Sequence, residues 1–232
     1  MKKIALMLIF FLLLISGCSN SGVSLPNATP IPTFNEIPTK YPFTVAIDAG
    51  HGGFDGGATG VSTGTPESEL NLDVAKKLKT ELIKKGFNVV MTRETEDAIG
   101  VDKNSDMRKR KEILGGKNID IIVSIHMNKF SDRSVFGPMV FYMKGSLPGE
   151  AFAKCMIYEI CEAVGHSQRA SNPGDYYVIR ETSAPAIIVE CGFLSNKSDE
   201  KKLLTEEYRA ILAHGIANGI MQFYDGSLKN EQ

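Results

Sequence analysis

Beyond residue 42, short apolar runs alternate with longer amphipathic segments. The short runs are rich in β-branched and aromatic residues and have the length of buried strands; they cover 43–49, 87–92, 119–126, 139–143 and 186–190. The amphipathic segments predict helices over 66–85, 105–116 and 149–164, and one or two more over 198–224. Alternating strands and helices predict an α/β fold, with a mostly parallel twisted sheet and helices on both faces of a single catalytic domain.

The first predicted helix has clear boundary signals. Apolar residues recur every four positions from Leu70 to Leu82, which favours a helix with one buried face. Thr65 is the expected N-cap and Pro66 suits the first helical position. Gly86 is expected to end the helix.

The N-terminus has the pattern of a signal peptide, predicted over residues 1–18. A short positive start precedes an apolar run over 4–15, shorter than the roughly 20 residues that span a bilayer. The last four residues, ending in Cys18, resemble a bacterial lipoprotein box, in which this cysteine is lipidated. The alternative is an ordinary signal peptide in which Cys18 is incidental.

A flexible tether is predicted over residues 19–42, which are rich in Ser, Pro, Thr and Asn and lack periodicity. The catalytic domain is therefore predicted over 43–228. We expect an exported protein on the outer side of the membrane, attached to it only through the N-terminal anchor.

Charge and cysteine usage exclude some classes of function. With 26 Lys and Arg against 27 Asp and Glu, the formal net charge is −1, which argues against nucleic-acid binding through a basic face. Beyond Cys18, the cysteines Cys155, Cys161 and Cys191 show no CxxC or zinc-finger spacing. We expect buried thiols and no essential disulfide.

Three residues able to bind a metal or relay a proton follow or end predicted strands. His51 comes just after 43–49, His126 ends 119–126, and Glu190 ends 186–190. Because ligands of open α/β sheets bind beyond the carboxyl ends of the strands, these side chains can converge on one crevice. His166 and His214 lack such a placement and are interpreted as structural.

The segment "VAIDAGHGGFDGGATG" (45–60) surrounds His51 with glycines. A phosphate-binding loop needs a Lys followed by Ser or Thr after its last glycine, and a dinucleotide fingerprint needs G-x-G-x-x-G; neither is present. The remaining interpretation is a loop kept small so that its histidine and backbone can approach an ion and a substrate.

Zinc suits the residue types in this crevice. Catalytic zinc commonly has three protein ligands, and His51 and His126 supply two imidazoles. The third ligand is expected to be a carboxylate from "TPESEL", either Glu67 or Glu69. The HExxH helix of familiar metalloproteases is absent from the sequence.

Four segments in order, "IDAGHGGFDGG", "ESELNL", "SIHMN" and "VECGFLSN", resemble the landmarks of the zinc-dependent N-acetylmuramoyl-L-alanine amidases of the Amidase_3 family. The resemblance spans about 44–226 and is most similar to the germination-specific amidases that act on spore cortex. By position, it implies that His51, Glu67 and His126 bind Zn²⁺ and that Glu190 is the catalytic carboxylate. It implies hydrolysis of the amide between the lactyl group of N-acetylmuramic acid and L-alanine.

The resemblance also implies partners: peptidoglycan as substrate, a regulatory protein, and a peptidoglycan deacetylase that cooperates in forming muramic-δ-lactam. The alternatives are a non-catalytic wall-binding lipoprotein of the same fold and a zinc peptidase acting on stem peptides.

The sequence departs from the family pattern at three positions. Ser68 replaces the usual lysine, Glu69 takes the usual aspartate position, and Met127 replaces a common alanine, which could alter the pocket or metal affinity. Arg110 lies where the family often has an arginine, and we expect it to tie a helix to the sheet.

Overall fold

A computed structural model of the protein describes residues 40–230. The predicted signal peptide with Cys18, and the tether up to residue 39, lie outside the described residues. No helix within 40–230 combines the length and apolar character needed to cross a membrane.

The predicted sheet is confirmed and contains six strands in the order β2-β1-β3-β6-β4-β5. Their bounds are β1 Thr44–Ala49, β2 Asn88–Met91, β3 Ile121–Asn128, β4 Met139–Met143, β5 Asn172–Gly174 and β6 Ala186–Phe193. β1, β2, β3 and β6 pair in parallel, β4 runs antiparallel to β6, and β5 pairs in parallel with β4. The short strand β5 was not predicted, because its sequence, Asn-Pro-Gly, carries no apolar alternation.

Helices cover both faces of this sheet, as predicted. They are α1 Glu67–Lys85, α2 Lys103–Leu114, α3 Leu147–Val164, α4 Tyr177–Arg180, α5 Lys197–Leu203 and α6 Glu206–Asn230. Side chains alternate across a strand, so Val45 and Ile47 join the larger core with residues of α1, α3 and α6, while Ala46 joins a smaller core with Leu114 and Ile179. Folded packing begins ahead of residue 43, since the Tyr41 ring stacks on Phe87.

The predicted start of α1 is wrong by one residue. Pro66, not Thr65, occupies the N-cap position, and no side chain caps the helix. The N–H groups of Glu67 and Ser68 instead donate to the carbonyls of Ala58 and Gly56, at 2.8 and 3.1 Å. The glycine-rich loop therefore serves as the cap and fixes where Glu67 lies. The predicted stop at Gly86 is confirmed by its left-handed conformation.

The prediction that His126 and Glu190 end their strands is wrong. β3 continues to Asn128 and β6 continues to Phe193, because both strands keep pairing with each other through a register irregularity beyond His126. His126 and Glu190 are direct neighbours in this pairing. The two residues thus lie side by side near the carboxyl ends of adjacent strands.

Candidate functional site

The structure brings His51, Glu67 and His126 together at the carboxyl edge of the sheet. One ligand atom from each lies within 4.8 Å of the others. Glu67 Oε1 is 3.4 Å from His51 Nε2 and 2.8 Å from His126 Nδ1. Ligand atoms each about 2.0–2.2 Å from one zinc ion necessarily lie within a few ångströms of each other, so this group fits a metal.

His51 is held in an unusual backbone conformation just after β1. Its φ is 59°, a left-handed value uncommon for a residue with a side chain. Its Nδ1 lies 3.0 Å from the carboxylate of Asp55, and paired backbone hydrogen bonds between Gly52 and Asp55 close the turn. Because Asp55 engages Nδ1, Nε2 remains directed toward Glu67, as in metal sites where a carboxylate orients the ligating imidazole.

Glu67 is buried and has hydrogen-bond donors on both oxygens. Oε2 accepts from the N–H of Ala58 at 2.8 Å, and Oε1 accepts at 3.1 Å from the Asn71 amide and from the N–H of Met127. Burial alone would raise the pKa of Glu67, but its bonds to His126 and His51 hold that pKa far below its usual range. Glu67 is therefore fixed as an anion.

The two imidazoles respond in the opposite sense. Burial would lower the pKa of His51, yet its contacts with Glu67 and Asp55 raise the pKa to about 9. Burial would likewise lower the pKa of His126, but the hydrogen bond and charge of Glu67 outweigh burial and raise that pKa. The site thus favours positive charge between these three side chains, the condition that a cation would satisfy.

At two positions of the loop, steric contacts with the candidate ligands explain why the residue is glycine. A Cβ at Gly50 would lie 2.2 Å from the His126 ring, and one at Gly57 would lie 2.5 Å from Glu67 Oε2 and 2.7 Å from the His51 ring. A larger residue at either position would displace a candidate ligand. This close approach supports the interpretation that the loop is kept small around the site.

Glu190 stands beside this group but is bonded differently. Its Oε2 is buried and has no hydrogen-bond partner among the described residues. Burial raises the pKa of Glu190 to about 7, with His126 lowering it and Glu67 raising it further. Leaving a buried polar oxygen unpaired costs about 1–3 kcal/mol, so such an atom in a native fold calls for a functional explanation.

Arg110 does tie a helix to the sheet, as expected. Its guanidinium lies 2.6 Å from Asp48 on β1 and 2.7 Å from Asp106 on α2. It also donates to the carbonyls of Ala49 and His51, at 2.8 and 2.6 Å. Arg110 therefore fixes the backbone of a candidate ligand.

Arg93 is a buried positioning residue that the sequence analysis missed. It donates only to backbone carbonyls, those of Ala49, Gly50, Ser68 and Thr95, at 2.8–3.0 Å. These bonds join the His51 loop to the first turn of α1. The sequence offered one weak signal, an arginine immediately after the strand predicted over 87–92.

A cavity of about 290 Å³ opens on this site. Its lining combines polar side chains, including His51, Asp55, His126 and Glu190, with aromatic and aliphatic ones, which are Phe54, Met107, Tyr176, Tyr177, Val178 and Ile188. An amide placed in the cavity would therefore meet two of the candidate metal ligands, His51 and His126, and the unpaired acid Glu190 in one space.

The remaining sequence candidates contribute no side chain to the cluster. Glu69 is exposed on α1. The Met127 side chain is buried in the larger core, so only its N–H faces the site. His166 packs against Phe136, and His214 is exposed on α6.

Among the described residues, no cysteine belongs to the candidate ligand group. Cys161 and Cys191 are buried free thiols, and Cys155 is half-buried. Burial raises the pKa of the Cys191 thiol, so this residue next to Glu190 stays protonated.

Fold and site together define an α/β domain with a candidate metal centre at the carboxyl edge of its sheet. The family model described as N-acetylmuramoyl-L-alanine amidase (Amidase_3) matches residues 45–222. The chain belongs to this family, and all three candidate ligands and Glu190 lie in the matched region.

Individual relatives agree with this assignment. An uncharacterized cell wall amidase of Bacillus anthracis is 32% identical over 191 residues, 78% of this chain and 35% of that protein. A germination-specific N-acetylmuramoyl-L-alanine amidase of Bacillus subtilis is 28% identical, over 78% of this chain and 79% of the relative. The chain thus spans about a third of the first relative and most of the second.

A solved structure matches the same region. The CwlD amidase of Clostridioides difficile, determined in complex with the GerS lipoprotein, superposes with a TM-score of 0.76 at 31% identity, over 79% of this chain and 98% of that one.

Proposed function

We propose that the protein is a peptidoglycan hydrolase that cleaves the amide bond between the lactyl group of N-acetylmuramic acid and L-alanine of the stem peptide. The observation that carries the proposal is the buried, unpaired oxygen of Glu190 beside the His51–Glu67–His126 group. An acid without a protein partner, next to a metal-binding set, is suited to exchange protons with a substrate or water. Family membership supplies the amide substrate.

We infer that His51, Glu67 and His126 hold a zinc ion. Two imidazoles and one carboxylate are a donor set that zinc accepts in catalytic sites, and the anionic Glu67 between both imidazoles supports the binding of a cation there. When bound, zinc would polarise a carbonyl oxygen and make water more acidic.

Glu190 would act as the proton carrier of the reaction. Its pKa of about 7 is well placed for both accepting and donating a proton near neutral pH. We assign it to accept the proton of the attacking water and to return it to the leaving amine of L-alanine. Asp55, Arg93 and Arg110 would keep the His51 loop in place during this exchange.

The biological setting is part of the same proposal. Relatives of this chain are named germination-specific and sporulation-specific amidases, which favours spore cortex as the substrate and cooperation with a deacetylase in forming muramic-δ-lactam. The CwlD–GerS complex favours a regulatory partner. We further propose export through residues 1–18, lipidation of Cys18, and a tether over 19–42 that attaches the domain to the outer side of the membrane.

Digestion of purified peptidoglycan, with and without added zinc, tests the activity. We expect muropeptide mass spectrometry to show stem peptides released with a free L-alanine amine, and Glu190→Gln to abolish their release. Stems cut internally would identify a peptidase instead. Binding to the wall without cleavage in either condition would identify a non-catalytic wall-binding protein.

A further inference from the structure

Tyr176 presents an aromatic ring at the mouth of the cavity, on the same lining as Glu190. The residue is 44% exposed, a large exposure for an aromatic side chain that contributes to no described core. Burial of part of the ring and the nearby charge of Glu190 both raise the pKa of its hydroxyl. The ring therefore lies close to the candidate reaction centre.

The Tyr176 ring is held in place from behind. It packs edge-on against Phe141 of β4, with ring centroids 5.2 Å apart and planes at 67°. Gly174 leaves room for it, since a Cβ there would lie 2.5 Å from ring atom Cε2. A ring supported in this way loses little conformational freedom when a ligand packs on it.

The backbone around Tyr176 is also constrained. Its carbonyl accepts from the N–H groups of Ile179 and Arg180, at 3.2 and 2.9 Å, which begins the short helix α4. The Arg180 guanidinium in turn lies 2.7 Å from Asp175. The segment thus presents a fixed aromatic surface.

We propose that Tyr176 is the platform on which the sugar ring of the muramoyl substrate packs, and so makes the enzyme specific for a glycan-linked amide. A pyranose ring offers a face of C–H groups that suits an aromatic surface. The cavity lining also carries the aliphatic side chains of Val178 and Ile188, and the charge of Glu190 lies near the Tyr176 hydroxyl. A neutral sugar packed on the Tyr176 ring would place its linked amide beside Glu190, as the proposed reaction requires.

This inference rests on the proposed amidase function but has a separate test. Two ligands with the same dipeptide are compared: N-acetylmuramoyl-dipeptide, and lactoyl-dipeptide, which keeps the amide and lacks the sugar. Binding is measured by calorimetry on the zinc-loaded Glu190→Gln protein, so that no turnover is needed. We expect the muramoyl ligand to bind more tightly, and Tyr176→Ala to weaken it by about 5–10-fold, a loss typical of one aromatic contact.

In the same experiment Tyr176→Ala should change lactoyl-dipeptide binding by less than about twofold, and Tyr176→Phe should restore muramoyl binding. Tyr158→Ala is the matched control, because Tyr158 is a similarly exposed tyrosine outside the cavity. Equal loss for both ligands, or equal affinity of the parent protein for both, overturns the sugar platform. Failure of the wild type to release stem peptides would instead overturn the proposed function, whatever the binding result.

Discussion

Glu67 and Glu190 are two buried carboxylates in one site with opposite surroundings. Glu67 accepts from two backbone N–H groups and the Asn71 amide, and both imidazoles approach it. Glu190 Oε2 has no hydrogen-bond partner among the residues described. The pKa of Glu67 is held far below its usual range, whereas burial raises that of Glu190 to about 7.

This difference in hydrogen bonding and pKa suits the two carboxylates to different chemical roles. A carboxylate fixed as an anion by many donors can neutralise a cation but cannot exchange protons near neutral pH. A carboxylate that is desolvated and unpaired can change protonation state at that pH. Environment, rather than residue type, is therefore the basis on which we propose Glu67 for metal binding and Glu190 for proton transfer.

The largest expected effect is loss of the metal in Glu67→Gln. The neutral amide removes the charge that holds both imidazoles, so zinc content after dialysis should fall to background along with peptidoglycan hydrolysis. His126→Ala should behave in the same way. Elemental analysis gives the readout, and full zinc occupancy in either variant would remove that residue from the ligand set.

Glu190→Gln should give the reverse combination. Removing a general acid–base group typically lowers the rate by about 10²–10⁴, while zinc content and thermal stability should stay near wild type because Oε2 has no bond to lose. Initial rates of stem release and elemental analysis on the same preparation test this. Glu181→Gln, at a half-buried carboxylate that pairs with Lys111 and Arg180 away from the candidate ligands, controls for a general effect of removing charge. Near-normal turnover would return Glu190 to a structural role.

The sequence was sufficient to predict which candidate site residues lie near the carboxyl ends of the strands. His51, His126 and Glu190 follow or occupy apolar strands, and parallel strands bring their carboxyl ends to one edge. The choice of Glu67 over Glu69 was left open by residue spacing. It depends on Gly56 and Ala58 capping α1, a backbone contact that side-chain patterns do not encode.

The elements that the sequence did not predict are short or irregular segments. β5 and α4 contain three and four residues, too few for periodicity to emerge, and the segment joining them holds Tyr176. Arg93 was missed for a different reason. Its partners are main-chain carbonyls, which every residue possesses, so no residue type marks them.

A smaller effect is expected from Asp55→Asn, which tests how far the metal side depends on orientation. Asp55 lies 3.0 Å from His51 Nδ1, and loss of such an outer partner typically costs about 10–100-fold in metal affinity. Zinc titration against a competing chelator measures the change. Asp132→Asn, at an exposed carboxylate that bonds only Ser134 in its own loop, should leave affinity unchanged. Equal affinities for both variants would show that Asp55 does not orient the imidazole.

The smallest effect is expected from Glu69→Gln, two residues from Glu67 on the same helix. Because Glu69 is exposed and lies outside the ligand group, removing its charge should change zinc affinity and stem release by less than about twofold, the scale of an exposed charge. The same titration and digest give the readout. If Glu69→Gln lost zinc while Glu67→Gln kept it, Glu69 rather than Glu67 would be the metal ligand. The contrast between the hydrogen-bonded Glu67 and the unpaired Glu190 would then no longer describe this site. Retention by Glu69→Gln alone ties metal binding to the buried, fully bonded position.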